Sequence, residues 1–265
     1  MPEATVRGVR LHYQRIGTEG AETRVVFVHG LVMDNLASWY FSVACATAMF
    51  ADVLLYDLRG HGRSERPKSG YGVDDMVLDL AGLLDATFGQ APVHLVGNSF
   101  GALLAVRFAS QFPERTAGLV LVDGHLGNDG FAERMVRTLS LRGEEADRTI
   151  TESFRHWLGR ESPRKRSRLI DQARALVLET SLVDDMRATR PLERSDFSGI
   201  RARTLALYGE HSDIVKESRP LLDSMPSCTV NVLPACTHSV LWEATDDVRS
   251  RTVAFCRGLE QGGPA

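Results

Sequence analysis

Lysine is nearly missing from this 265-residue chain: Lys68, Lys165 and Lys216 are the only three, and arginine carries the remaining positive charge. That bias suggests a GC-rich coding sequence and says little about activity. Cysteine is sparse too. Cys45, Cys228, Cys236 and Cys256 are scattered without any Cys-x-x-Cys spacing, so they read as free thiols in a reducing compartment rather than as a disulfide framework. No histidine and carboxylate cluster has metal-ligand spacing. Neither Gly-x-Gly-x-x-Gly nor a Walker pattern occurs, so no nucleotide cofactor is expected. No apolar run is long enough to cross a bilayer. Met1 to Arg10 lacks an apolar segment and carries Glu3, Arg7 and Arg10, unlike a secretory signal; a cytoplasmic location is the expectation. A net charge of −3 gives no reason to expect nucleic acid or a membrane surface as partner.

What is present is ordinary globular material, 43% apolar and 25% charged, with enough length for one large α/β domain or a domain carrying an insertion. Val6 to Ile16 alternates weakly and predicts one or two strands turned at Gly8. Arg24 to His29 and Asp52 to Asp57 are continuous apolar runs, as strands buried on both faces should be. Leu36 to Phe50, between them, suits a packed helix. Tyr71 to Phe88 places Val73, Met76, Val77, Leu80, Leu83 and Leu84 on one helical face, closed by Gly89. Pro92 to Val96 and Thr116 to Asp123 are further strands. Strands alternating with helices predict a mainly parallel sheet. From His125 to about Gly199 no convincing strand occurs. Phe131 to Leu141 and Arg168 to Leu178 have helical period there. Strands resume at Thr204 to Tyr208 and Cys228 to Leu233.

Gly97-Asn98-Ser99-Phe100-Gly101 stands between a strand and a helix-like stretch, Ala102 to Gln111. In that frame the serine occupies a tight, strained turn with its hydroxyl presented at the end of the sheet. Small residues two before and two after it let the helix fold back over the strand. Ser99 is the candidate nucleophile. A serine hydroxyl needs a base to take its proton at neutral pH, and eight histidines are available.

With the strand ending His29-Gly30, the turn Asp57-Leu58-Arg59-Gly60-His61-Gly62-Arg63-Ser64, the elbow at Ser99, an acid after a late strand and a histidine near the C-terminus, the chain resembles the α/β-hydrolase fold family across nearly its whole length. The resemblance implies a mostly parallel central sheet flanked by helices. A helical cap, residues 125–199, would be inserted after the sixth strand into a core of residues 1–124 and 200–265. It implies His238 as base, with Thr237 standing where the family often has glycine. It places His29 and His61 in turns they pack and hydrogen-bond. It implies Asp213, in the loop after Thr204 to Tyr208, as the acid that orients the imidazole. Asp123, after an earlier strand, is where a minority of the family has its acid, and Glu210 is a nearby competitor better suited to a loop contact. The backbone N–H groups of Leu31 and Phe100 would form the oxyanion hole. A serine at the elbow argues against the relatives that open epoxides or remove halide, which use aspartate there.

The acyl group is less legible. Asn98 before the serine, and Trp242-Glu243 after His238, are similar to the branch that cleaves carbon–carbon bonds in meta-cleavage products of aromatic rings. Ala102 and the bulky Leu31-Val32-Met33 segment depart from it. Hydrolysis of a carboxylic ester or thioester with a small to medium apolar acyl group is the broader reading. Val32, Trp39, Phe131, Phe154 and Trp242 are pocket candidates, each equally readable as plain core. Acyl transfer, elimination, or a small-ligand binder on the same fold are further alternatives. Arg164-Lys165-Arg166-Ser167-Arg168 would suit an acidic partner such as an acyl carrier protein delivering a thioester, although a solvated helix face explains it more simply.

Overall fold

The computed structural model describes residues 2–126, 133, 136 and 163–259. Eight strands form one sheet in the order β1-β2-β4-β3-β5-β6-β7-β8. They are β1 (Glu3–Val6), β2 (Val9–Gly17), β3 (Arg24–Val28), β4 (Asp52–Tyr56), β5 (Val93–Asn98), β6 (Thr116–Val122), β7 (Arg203–Gly209) and β8 (Cys228–Leu233). β1 pairs antiparallel with β2, β2 antiparallel with β4, and every other pairing is parallel.

The continuous apolar runs have a direct explanation. Side chains alternate across a strand, and both faces of this sheet are covered. Val26 and Val28 of β3, Leu54 and Tyr56 of β4, and Leu119 and Leu121 of β6 enter one core. Their neighbours Val25, Phe27, Val53, Leu55, Val120 and Val122 enter the other.

The first core is closed by α2 (Val73–Thr87) and α3 (Phe100–Gln111), and the second by α1 and α9 (Thr245–Cys256). α1 is one helical run over Ala37–Trp39, Tyr40–Ala44 and Cys45–Thr47, with a π-helical turn in its middle part. Gly89, with φ +62, ends the turn after α2 in the left-handed region, as a helix terminus favours.

Between β6 and β7 the described residues hold only helices: α4 (Pro163–Glu179), α5 (Leu182–Ala188) and α6 (Arg194–Ser198). α4 buries Leu169, Ile170, Ala173, Leu176 and Val177, one stripe of the helix. These helices are tied to the first-core side of the sheet. Ser181 N–H donates to the Lys68 carbonyl at 2.9 Å, Tyr71 N–H to Asp185 at 2.7 Å, and Arg107 to the Arg190 carbonyl at 2.8 Å. The helix expected over Phe131 to Leu141 lies almost wholly outside the described residues. α7 (Ile214–Leu222) follows β7, and α8 (Val240–Glu243) precedes α9.

Strand order reverses between β3 and β5: the chain builds outward to β4 on one side and to β6 on the other. In parallel α/β sheets the crevice beyond the strand ends at such a point is where ligands bind. His29-Gly30-Leu31 leaves β3 there, and Ser99 leaves β5.

Candidate active site

Ser99 has φ +50 and ψ −116, outside the ordinary regions for a non-glycine residue. Its N–H donates to the Val122 carbonyl at 2.9 Å, and its own carbonyl accepts from His125 N–H at 3.2 Å. The flanking glycines are sterically required. A Cβ on Gly97 would lie 2.4 Å from Gly101 C, and one on Gly101 would lie 2.2 Å from the Val28 carbonyl oxygen. The backbone of α3 therefore crosses the end of β3 at a distance only glycine permits.

His238 brings Nε2 to 3.1 Å from Ser99 Oγ. Its loop is strapped by two carboxylates. Glu243 accepts from Thr237 N–H at 2.6 Å and from its hydroxyl at 2.9 Å, and Glu210 accepts from Ala235 N–H at 2.9 Å. Thr237, at the position where glycine was the commoner expectation, thus contributes a hydroxyl to the loop. Glu210 makes the loop contact anticipated for it.

Asp123, rather than the expected Asp213, meets the imidazole. His238 Nδ1 lies 2.6 Å from Asp123 Oδ2. Asp123 directly follows β6, and its side chain is 2% exposed against 47% for His238. Asp213 is exposed and immediately precedes α7, four residues beyond the end of β7. The chain turns there so that Ser212 faces inward and Asp213 outward. A carboxylate only accepts, so Nδ1 of His238 carries the proton and Nε2 is left to accept from the Ser99 hydroxyl. Asp123 also accepts from Gly209 N–H at 2.8 Å and Ser212 Oγ at 2.6 Å.

The loop after β3 is fixed from both sides. His29 donates Nδ1–H to the Gly30 carbonyl at 2.6 Å and accepts from Leu58 N–H at 2.9 Å. His61 donates Nδ1–H to the Arg59 carbonyl at 2.8 Å and accepts from Val32 N–H at 2.8 Å. Burial, and next the neighbouring His29, push His61 down to about 3, so it stays neutral in the tautomer those bonds require. Val32 is held at φ +74, an uncommon conformation for a β-branched residue. Gly30 N–H donates to Asp34 at 2.8 Å, and Met33 N–H to the Leu31 carbonyl at 3.1 Å. Gly30, Val32 and Met33 are therefore committed, while the Leu31 N–H, like that of Asp34, makes no hydrogen bond among the described residues. Phe100 opens α3, with its side chain buried in the first core.

Gly30, Leu31, Met33, Asp34, Asn98, Ser99, Val122, His238, Ser239, Leu241 and Trp242 line a cavity of ≈ 120 Å³ beside the serine. Trp242 is thus where the sequence suggested. Trp39 is not: it is fully buried, packs on Phe27 with ring centroids 5.1 Å apart, and donates Nε1–H to the Val28 carbonyl at 3.0 Å. It is core, placed by the inward face of α1. Val32 is likewise absent from this lining, its backbone being turned toward His61. Phe131 and Phe154 lie outside the described residues. Met33, Asp34, Val122, Ser239 and Leu241 line it without having been expected there, and Asn98 had been noted only for its likeness to the carbon–carbon-cleaving branch. Asp34 joins the two loops by accepting from Gly30 N–H and from Asn98 Nδ2 at 3.3 Å. Its place five residues after His29 was the only available signal. Cys236 is buried, with its thiol pushed up by burial, and lies apart from the lining. Among the described residues no group of three or more His, Cys, Asp or Glu side chains could hold a metal ion. None of their helices is long and apolar enough to cross a membrane.

Residues 25–251 match the family model described as the alpha/beta hydrolase family. The chain belongs to that family. This alpha/beta hydrolase is 25% identical over 272 residues to the 2-hydroxy-6-oxononadienedioate/2-hydroxy-6-oxononatrienedioate hydrolase of Burkholderia vietnamiensis, covering 94% of this chain and 91% of that one. It is 36% identical over 143 residues to the dihydrolipoyllysine-residue acetyltransferase component of the acetoin cleaving system of Cupriavidus necator, covering 52% of this chain and 37% of that one. It is 36% identical over 128 residues to the lipase LipV of Mycobacterium tuberculosis, covering 48% and 47%. The chain thus spans about half or less of the length of these last two curated relatives. Among solved structures, the enol-lactonase of Burkholderia xenovorans LB400 superposes with a TM-score of 0.78 at 23% identity, covering 97% of this chain and all of that one. A meta-cleavage product hydrolase of Pseudomonas fluorescens IP01 does so with 0.78 at 20%, covering 98% of each. At such identities the likeness concerns the fold.

Proposed function

We propose that this alpha/beta hydrolase cleaves a carboxylic ester or thioester with a small to medium apolar acyl group through an acyl-enzyme on Ser99. The observation that carries this reading is the unbroken relay from Ser99 Oγ to His238 Nε2 at 3.1 Å and from His238 Nδ1 to Asp123 Oδ2 at 2.6 Å, opening on a cavity with Met33, Val122, Leu241 and Trp242 in its wall. His238 takes the hydroxyl proton as Ser99 attacks the acyl carbon, and Asp123 keeps the imidazole oriented and stabilises it once charged. The N–H groups of Leu31 and Phe100 receive the negative oxygen of the tetrahedral intermediate. His238 then protonates the departing alkoxide or thiolate. Water, losing a proton to His238, attacks the acyl-enzyme and releases the acid. Residues 125–199 act as the cap over this site, and the protein works in the cytoplasm with a small-molecule substrate and no cofactor.

Carbon–carbon hydrolysis of a meta-cleavage product is the second reading, favoured by Asn98 before the serine and by the relative from Burkholderia vietnamiensis. It ranks lower because Asp34 puts a carboxylate on the cavity wall and the described lining has no arginine or lysine to receive an anionic dienoate. Delivery of a thioester by an acyl carrier protein rests on Arg164, exposed at the start of α4, with Lys165, Arg166 and Arg168 beside it in sequence. Charge reversal at Arg164 and Arg166 that left carrier-bound and free thioesters equally turned over would remove that partner.

Intact-protein mass spectrometry after fluorophosphonate treatment tests the main reading. One adduct on the wild type, lost in Ser99→Ala and much slowed in His238→Ala, is expected. A panel of neutral esters, thioesters and a meta-cleavage dienoate then ranks the substrates. An adduct that persists in Ser99→Ala would sink the proposal.

A further inference from the structure

We infer that Ser212 is a positioning residue of this site, fixing the Asp123 carboxylate against His238 from a loop that follows a different strand. This rests on the reading of Ser99, His238 and Asp123 as an acyl-transfer triad.

Asp123 sits in strained backbone with φ +44, a conformation that persists only where its surroundings over-determine it. Those surroundings come from β7 and the segment after it. Asp123 N–H donates to the Leu207 carbonyl at 2.7 Å. The carbonyl of the next residue, Gly124, accepts from Tyr208 Oη at 2.9 Å and Ser218 Oγ at 3.0 Å. The carboxylate is gripped at both oxygens: Oδ1 by Gly209 N–H at 2.8 Å, and Oδ2 by Ser212 Oγ at 2.6 Å, the same oxygen that His238 Nδ1 reaches at 2.6 Å.

The direction of the Ser212 hydroxyl follows from its other bond. Ile214 N–H donates to Ser212 Oγ at 3.3 Å, so a lone pair is occupied there and the single hydroxyl proton points at Asp123. Ser212 is 4% exposed, which leaves water little room to replace it. Gly209 N–H alone would fix one oxygen and let the carboxylate plane turn about the Cβ–Cγ bond. Gly209 and Ser212 together fix both oxygens, and hence the line from Oδ2 to the imidazole. Ser212 touches neither substrate nor the reacting atoms, so its effect passes through Asp123.

A double-mutant cycle reads this directly. The rate of Ser99 labelling by a fluorophosphonate, and turnover of p-nitrophenyl acetate, are compared for wild type, Ser212→Ala, Asp123→Asn and the pair. Loss of an outer hydrogen-bond partner costs about 10- to 100-fold at metal sites, where ligands are oriented in the same way. Ser212→Ala is expected to slow labelling and kcat by that order with KM within about twofold, to cost almost nothing further in Asp123→Asn, and to be rescued by Ser212→Thr. If Ser212→Ala fails to fold, Ser212→Cys, close in shape with a weaker donor, replaces it in the cycle. A Ser212 variant as fast as wild type while Asp123→Asn is slow overturns this inference alone, as does an equal loss in both backgrounds. Full activity in Asp123→Asn overturns the acid assignment together with it.

Discussion

His238 Nδ1 lies 2.6 Å from the Oδ2 of Asp123, although they stand 115 positions apart in the chain. β6 and β7 are parallel neighbours, so their following loops emerge at the same edge of the sheet. Either loop could offer an acid, and the turn after each strand decides which one reaches the imidazole. Asp123→Asn should therefore lower kcat by about 10³- to 10⁴-fold, because the amide no longer holds the Nδ1–H tautomer. Asp213→Asn should stay within about twofold of wild type. Steady-state kinetics of both variants on one ester checks this, and the reverse order would return the acid to Asp213.

Gly101→Ala should cost several kcal/mol, on the order of 3, since a core clash with fixed backbone has little room to relax. The added Cβ would meet the Val28 carbonyl at 2.2 Å. Gly89→Ala is the control. Its φ is +62 with nothing within 4 Å of the added atom, so only the left-handed backbone term of about 1–2 kcal/mol applies. Urea denaturation of both proteins measures the difference.

Acid should destabilise the fold before its carboxylates titrate. His61 is pushed down to about 3, chiefly by burial, and His94 to about 4, by burial and then by Arg203. In the unfolded chain both take up protons near pH 6.5. Their folded values are depressed, so stability is full above about pH 6.5 and falls as pH drops toward the folded values. Each contributes a slope approaching about 1.4 kcal/mol per pH unit in that window. His94 Nδ1 is buried with no hydrogen-bond partner among the described residues, and its ring packs edge-on against Phe255, centroids 6.0 Å apart. His94→Leu should flatten the decline of Tm between pH 7 and pH 4. An unchanged slope would mean that His94 is not what resists protonation.

Arg59 and Asp79 form a bidentate pair at 2.6 and 2.7 Å, each almost wholly buried. Removing one partner strands the other charge, which typically costs about 3–5 kcal/mol. Arg59→Met and Asp79→Leu should each lower stability by that order, and the double variant should lose less than either. Thermal unfolding of the three proteins tests it, and additive losses would contradict it.

Much of this was legible from residue order. The buried strands β3 to β7 announced themselves as apolar runs because both sheet faces are covered. The elbow was readable because Gly97 and Gly101 meet a steric demand that leaves few alternatives. His29 and His61 fell in turns where both ring nitrogens are used. Trp39 was harder, because a buried tryptophan on a packed helix and one lining a pocket look the same in sequence. Asp213 misled for a related reason: an acid just before a helix has its own favourable place beside the helix N-terminus. Asp123, by contrast, stands directly at a strand end and is followed by glycine, a signal that deserved equal weight.

The sequence by itself determined the local architecture and the strand–turn–helix at Ser99, because steric and periodic demands act between residues close in the chain; His238 was singled out only through the family resemblance. The tertiary structure alone decided which carboxylate meets His238, that Ser212 supports it, and that Asp34 links the loop after β3 to Asn98. Those choices depend on where two loops on neighbouring strands place a few atoms to within about 0.5 Å, and no spacing along the chain encodes that distance.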